Sequence, residues 1–170
     1  YNATKNENIA AFGSYFLQKS NYHVEIKVNG KSIYTQKGTV SLPGYRTIKL
    51  NKYVSVNEND EFEIILKINR TNTGHNYILV QYADLYHSPI KEGKSFLEYD
   101  ADDGDWIDLY DYECVAPLKV YTKDVPTVSS SIVKNSDCTI NVTTNVNNLQ
   151  SKASVYYLIN GEKVTENGKR

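Results

Sequence analysis

The chain has 170 residues, with 19 Lys and Arg against 20 Asp and Glu, a formal net charge of −1. That balance excludes a basic nucleic-acid platform and a polybasic membrane patch. No apolar run approaches the ~18 residues that span a bilayer, so no membrane insertion is expected within this segment.

Tyrosine occurs 15 times and methionine not at all. Tyr, Thr, Val and Ile favour strands, and the abundant Asn falls between the hydrophobic runs, where turns belong. Tyr1 and the lack of methionine mark the chain as a segment of a longer protein. Ile9–Leu17 (IAAFGSYFL) reads as the first long strand. Tyr22–Asn29 alternates, with Tyr22, Val24, Ile26 and Val28 on one face and His23, Glu25 and Lys27 on the other, a half-buried strand. Asn29-Gly30 is a hairpin turn, and Ser32–Gln36 returns as its partner. Pro43-Gly44 breaks the chain, Tyr45–Leu50 alternates again, and Val54 and Val56 suggest a separate short edge strand. Asn57–Asp60 is a turn, Phe62–Ile68 a more buried strand, Thr71–His75 a loop, and Tyr77–Tyr82 a further strand. His87–Gly93 is a longer connection. Ser95–Tyr110 is a hairpin tipped by Asp102, Asp103 and Gly104, with Ile107, Leu109 and Tyr110 in its second strand. Pro117–Thr122 closes the series.

Many short strands between turn signals indicate an all-β antiparallel sandwich of the jelly-roll or lectin-like kind. Residues 1–122 form that domain and 123–125 a linker. Residues 126–170 supply three or four strands where an immunoglobulin-type sandwich needs about seven, so a partial immunoglobulin-like domain is expected there, with exposed edges and apolar surface.

The order of features resembles a known family. Ile9–Phe16, Tyr22–Val28, Gly44–Leu50 and Val54–Ile68 come first. Ser95-Phe-Leu, Asp103–Leu109 and Cys114–Thr122 follow. Residues 1–122 look like the lectin-like β-sandwich domain of adhesin-like surface proteins of methanogenic archaea, a domain also found beside papain-like cysteine peptidases. The tail after Val125 resembles the immunoglobulin-like repeats that follow it. The resemblance implies a secreted, non-catalytic module at the cell surface, with a glycan or cell-surface polymer as partner. It carries no binding residue over to this chain.

Candidate sites come from residue chemistry. Asp100, Asp102, Asp103 and Asp105 carry the hard oxygen ligands that calcium takes. An EF-hand loop matches poorly, with Asp105 at the position that needs glycine, and the Asp-box hairpin matches imperfectly, with Gly104 standing two residues before Trp106 rather than three. A solvated structural turn is the plainer reading. Sugar sites pair an aromatic plate with carboxylates and amides. Tyr82, Asp84, Tyr86, Tyr99, Trp106, Tyr110 and Tyr112 supply both, and the 82–87 and 110–113 stretches are placed to meet at one end of the sandwich. The competing reading is alternating tyrosines on half-exposed strands. Trp106, the only tryptophan, fits either face of its strand, and the bulk of its ring favours the core.

His23, His75 and His87 lack metal-ligand spacing. Cys114 and Cys138 are too few for a disulfide framework, and a bridge between them stays open. Cys114 has no helix start or oriented histidine nearby to activate it, and no catalytic motif is present. Asn2, Asn69 and Asn141 head Asn-x-Thr sequons, which become glycosylation sites only in an exported protein.

Overall fold

The computed structural model describes residues 1–70, 78–82, 90–98, 105–137, 139–148, 156–159 and 162–164. Two compact units, Tyr1–Asp124 and Val125–Arg170, divide the chain.

The first unit opens with β1 (Glu7–Phe16), β2 (Ser20–Val28), β3 (Lys31–Val40), β4 (Gly44–Val56) and β5 (Phe62–Arg70). Four short strands follow: β6 (Gln81–Tyr82), β7 (Phe96–Glu98), β8 (Trp106–Asp108) and β9 (Cys114–Val115). β10 (Lys119–Asp124) ends the unit. Two three-stranded antiparallel sheets dominate, in the orders β10-β1-β4 and β3-β2-β5. The chain crosses repeatedly between them, so each sheet brings its apolar face to one shared core, the arrangement of a β-sandwich.

Alternation decides which side chains enter that core. Tyr22, Val24 and Ile26 of β2 are buried, while His23 and Glu25 between them are only half-buried. They meet Ile9, Phe12 and Phe16 of β1, Leu50, Val54 and Val56 of β4, and Phe62 of β5. Phe12 and Tyr22 join the sheets edge-on, with centroids 5.8 Å apart, the geometry that aromatic quadrupoles prefer. The buried Gln36 amide beneath is satisfied. Gln36 Nε2 donates to Tyr22 Oη at 3.0 Å and to the Lys49 carbonyl at 3.2 Å, and its Oε1 accepts from Tyr34 Oη at 2.6 Å. Gln36 thus ties β3 to β4 at a corner of the sandwich.

The Asn29-Gly30 turn forms as expected, with both residues at positive φ (49° and 75°), the demand of a type I′ turn. Asp60 braces it: its carboxylate accepts from Asn29 Nδ2 and from the Asn57 backbone, both at 2.8 Å.

Three expected elements differ. Val54 and Val56 are no separate strand: β4 runs unbroken over 13 residues. Its pairing with β1 jumps from Ile9↔Val54 to Ala11↔Lys49, leaving Leu50–Tyr53 of β4 opposite Ala10 alone, and that irregularity reads in sequence as a break. Of Tyr77–Tyr82, only Gln81–Tyr82 is strand among the described residues, paired with Cys114–Val115. Leu109–Tyr112 is a 3₁₀ turn rather than strand. Asp108 caps it through the Tyr110 N–H at 3.0 Å, Leu109 is buried beneath it, and Glu113 ends it at φ 54°.

The second unit consists of two hairpins among its described residues: β11 (Thr127–Lys134) with β12 (Ile140–Asn147), and β13 (Tyr157–Ile159) with β14 (Glu162–Val164). Val128, Ile132 and Ile140 stay 50–69% exposed.

Candidate functional site

A cavity of about 550 Å³ lies beside β5 in the first unit, a size typical of small-molecule sites. Its aromatic wall is the β7–β8 hairpin. Register places Phe96 opposite Asp108 and Glu98 opposite Trp106, so these four share one face and Leu97 and Ile107 take the other. Phe96 is 46% and Trp106 48% exposed. Trp106 is therefore not a core residue. A ribbon of three-residue strands has only one face to bury, and Leu97 and Ile107 occupy it.

Three hydrogen bonds anchor the hairpin. The Gly93 N–H donates to Asp108 Oδ2 at 2.5 Å, the Leu109 N–H to the Ser95 carbonyl at 2.8 Å, and the Ala116 N–H to Ser95 Oγ at 2.8 Å. Gly93 sits at φ +71°, a conformation that strains residues with a Cβ. Tyr1 closes another side of the cavity. Its ring stacks on Phe62 at 5.2 Å and its phenol donates to the Leu118 carbonyl at 3.2 Å. Burial pushes that phenol's pKa up, so the ring stays neutral and donating.

Charge of both signs completes the lining. Glu63 stands across from Lys27 on the outward face of β5 and β2, and Glu61 and Lys94 lie at the rim. Lys94 Nζ reaches Asn2 Oδ1 at 3.5 Å, and Glu98 lies 3.9 Å from Lys67. Aromatic plates cover the C–H faces of a sugar ring, while carboxylates and ammoniums bond its hydroxyls.

Residues 1–122 match the family of lectin-like domains. The chain belongs to that family. Comparison with curated proteins and with solved structures returned no match.

In this lectin-like domain the sequence-predicted residues fall in three places. Of the described ones, Trp106 alone lines the cavity. Tyr82 pairs with Cys114 and is 56% exposed, and Tyr110 and Tyr112, also exposed, sit on the 3₁₀ turn just before Cys114. Asp84, Tyr86, Tyr99, Asp100, Asp102 and Asp103 lie outside the described residues, as do His75, His87 and Cys138. Asp105 is exposed at the start of β8. Among the described residues no three His, Cys, Asp or Glu side chains gather as metal ligands, and no helix is long and apolar enough to cross a membrane.

Cys114 is a free, buried thiol that donates to the Tyr112 carbonyl at 3.1 Å. Desolvation, then the Glu113 charge, raises its pKa, the reverse of what activates a nucleophile. Asn2, Asn69 and Asn141 are all exposed, as a glycosylated asparagine must be.

Sequence reasoning missed Phe96, Tyr1, Glu61, Glu63, Lys27 and Lys94. Phe96 carried a signal, since it stands at the mirror position of Trp106's neighbour Asp108 across the predicted hairpin. The others come from segments far apart in sequence, Lys94 reaching Asn2 across 92 residues, and no local pattern links them.

Proposed function

We propose that the lectin-like domain is a non-catalytic, extracellular adhesion module that holds a glycan in the Phe96–Trp106 cavity. One observation carries the reading: the only tryptophan and a neighbouring phenylalanine stand half-exposed on one face of a pinned hairpin, beside Glu61, Glu63 and Lys94. Leaving such rings in water is unfavourable, and a sugar's C–H face is a fitting cover. Membership of the lectin-like family and the exposure of Asn2, Asn69 and Asn141 support a cell-surface setting. So does the resemblance to archaeal adhesin-like proteins.

A single tryptophan makes the test direct. Fluorescence of Trp106 should shift on titration with sugars selected from a glycan array, and Trp106→Ala should weaken binding by about tenfold or more. Silence of the array together with unchanged fluorescence would overturn the proposal. The result would then favour a spacer that projects other domains, a role to which the division into two compact units also lends itself.

A further inference from the structure

The outward face of the sheet β10-β1-β4 carries a second surface, built from residues that do not line the cavity. The bulge at Ala10 sets its composition. Past it, Ala11, Gly13 and Tyr15 point outward, while Ile9, Phe12 and Phe16 face the core. Register then lines up the neighbours. Tyr45, Thr47 and Lys49 of β4 pair with Tyr15, Gly13 and Ala11. Lys119 and Tyr121 of β10 pair with Gly13 and Ala11 from the other side. Beyond the bulge, Asn8 lies between Ser55 and Lys123, and Tyr53 leans under the Lys123 ammonium, 5.4 Å from its ring centre.

The rings are held in place. Tyr45 and Tyr121 reach across β1 from opposite sides and share a hydrogen bond of 2.7 Å. Gly13 makes this possible, since a Cβ there would stand 2.1 Å from Tyr45 Oη. Tyr15 packs edge-on against Tyr45 at 5.1 Å. Yet Tyr15, Tyr53 and Tyr121 remain 39–46% exposed. The surface therefore offers ordered aromatic rings that keep part of their area in solvent.

Its charge is one-sided. Lys49, Lys119 and Lys123 stand on it, and none of the positions paired across this face is an Asp or Glu. This contrasts with the net charge of −1 on the whole chain. At about 3.3 Å per residue, the face spans roughly 23 Å from Asn8 to Tyr15, more than a single sugar needs.

We infer that this face binds an anionic polysaccharide laid along the strands, its sugar rings stacked on Tyr15, Tyr45 and Tyr121 and its carboxylates or sulfates paired with Lys49, Lys119 and Lys123. Such pairing draws on charge complementarity and weakens with salt. A nucleic acid fits less well, because its binding platforms belong to strongly basic domains.

The test uses the full chain in affinity electrophoresis through gels containing polygalacturonate, dextran sulfate, neutral dextran or single-stranded DNA. Retardation by one or both anionic polysaccharides, absent with neutral dextran and suppressed by about 0.5 M salt, is expected. The triple variant Lys49→Gln/Lys119→Gln/Lys123→Gln leaves the Gly13 crossing untouched and should weaken retention about tenfold or more. Tyr15→Ala should weaken it less, and Trp106→Ala should leave it intact, which separates this surface from the cavity. Retardation equal in DNA, retention unaltered in the triple variant, or no retardation by either anionic polysaccharide would overturn the inference.

Discussion

The two units use the same kind of strand to different ends. In the first, β2 alternates and each inward residue meets the other sheet, so Val24 and Ile26 are fully buried. In the second, β11 is exposed along its whole length, with Ile132 at 69%. Both strands pair with a neighbour over eight or nine residues. Hydrogen-bonded pairing thus makes a ribbon, and only a second layer makes a core; a lone two-stranded hairpin is marginally stable in water. Family membership over residues 1–122 falls on the unit whose two sheets share a core.

The sharpest way to break this comparison is to cut a side chain from each. Phe12→Ala, at a fully buried site, should cost about 3–5 kcal/mol, whereas Ile132→Ala should stay within about 0.5 kcal/mol. Urea unfolding of the full chain reads both, and similar costs would show that β11 has a packed face after all.

A smaller effect contrasts two glycines within the first unit. Each has a tyrosine lying over it: a Cβ at Gly38 would stand 2.4 Å from Tyr22 Oη, and one at Gly13 2.1 Å from Tyr45 Oη. Tyr22 is locked in the core by Phe12 and Gln36, while Tyr45 is held at the surface by Tyr121 and Tyr15, where solvent leaves room for a Cβ at Gly13 to displace it. Gly38→Ala should therefore cost about 1–3 kcal/mol and Gly13→Ala about 1 kcal/mol or less. Thermal unfolding orders the pair, and the reverse order would show Tyr45 to be the more tightly held.

The smallest effect compares one turn from each unit in acid. Hydrogen bonds from the Asn57 backbone and Asn29 lower the pKa of Asp60, and those from the Thr139 hydroxyl and backbone lower that of Asp137. A carboxylate with a depressed folded pKa adds stability that is present above its ordinary value, about 3.9. That stability is lost as pH falls through the folded value. Asp60→Asn should flatten the acid response of amide signals around the β2–β3 turn, and Asp137→Asn only that of the β11–β12 turn, as followed by NMR. A response shared by both turns would indicate that the units unfold together.

Local patterns announced much of this fold. Asn29-Gly30 fixed one hairpin by backbone conformation alone, and Tyr22–Val28 declared its buried face by period. The β7–β8 hairpin was legible from two short hydrophobic runs, and its strand ended at Asp108 because an aspartate there caps a turn more readily than it continues a ladder. β4 was read as two pieces because extra residues of its own, Leu50–Tyr53 opposite Ala10, interrupt the alternation. Trp106 was misplaced because bulk says how much area a side chain can bury, and not which face of a two-sided ribbon has something to bury it against.

By itself, then, the amino-acid sequence determined what short-range sterics and alternation control: strand-rich segments, their turns, and the inward set of β2. The tertiary structure alone decided which side of the ribbon Trp106 takes and that Tyr1, Glu63 and Leu118 share a cavity with it. It alone set Tyr45 and Tyr121 over Gly13. The reason is physical. Strand period is a property of neighbours in sequence, whereas register between distant strands depends on one core being filled from both sheets at once.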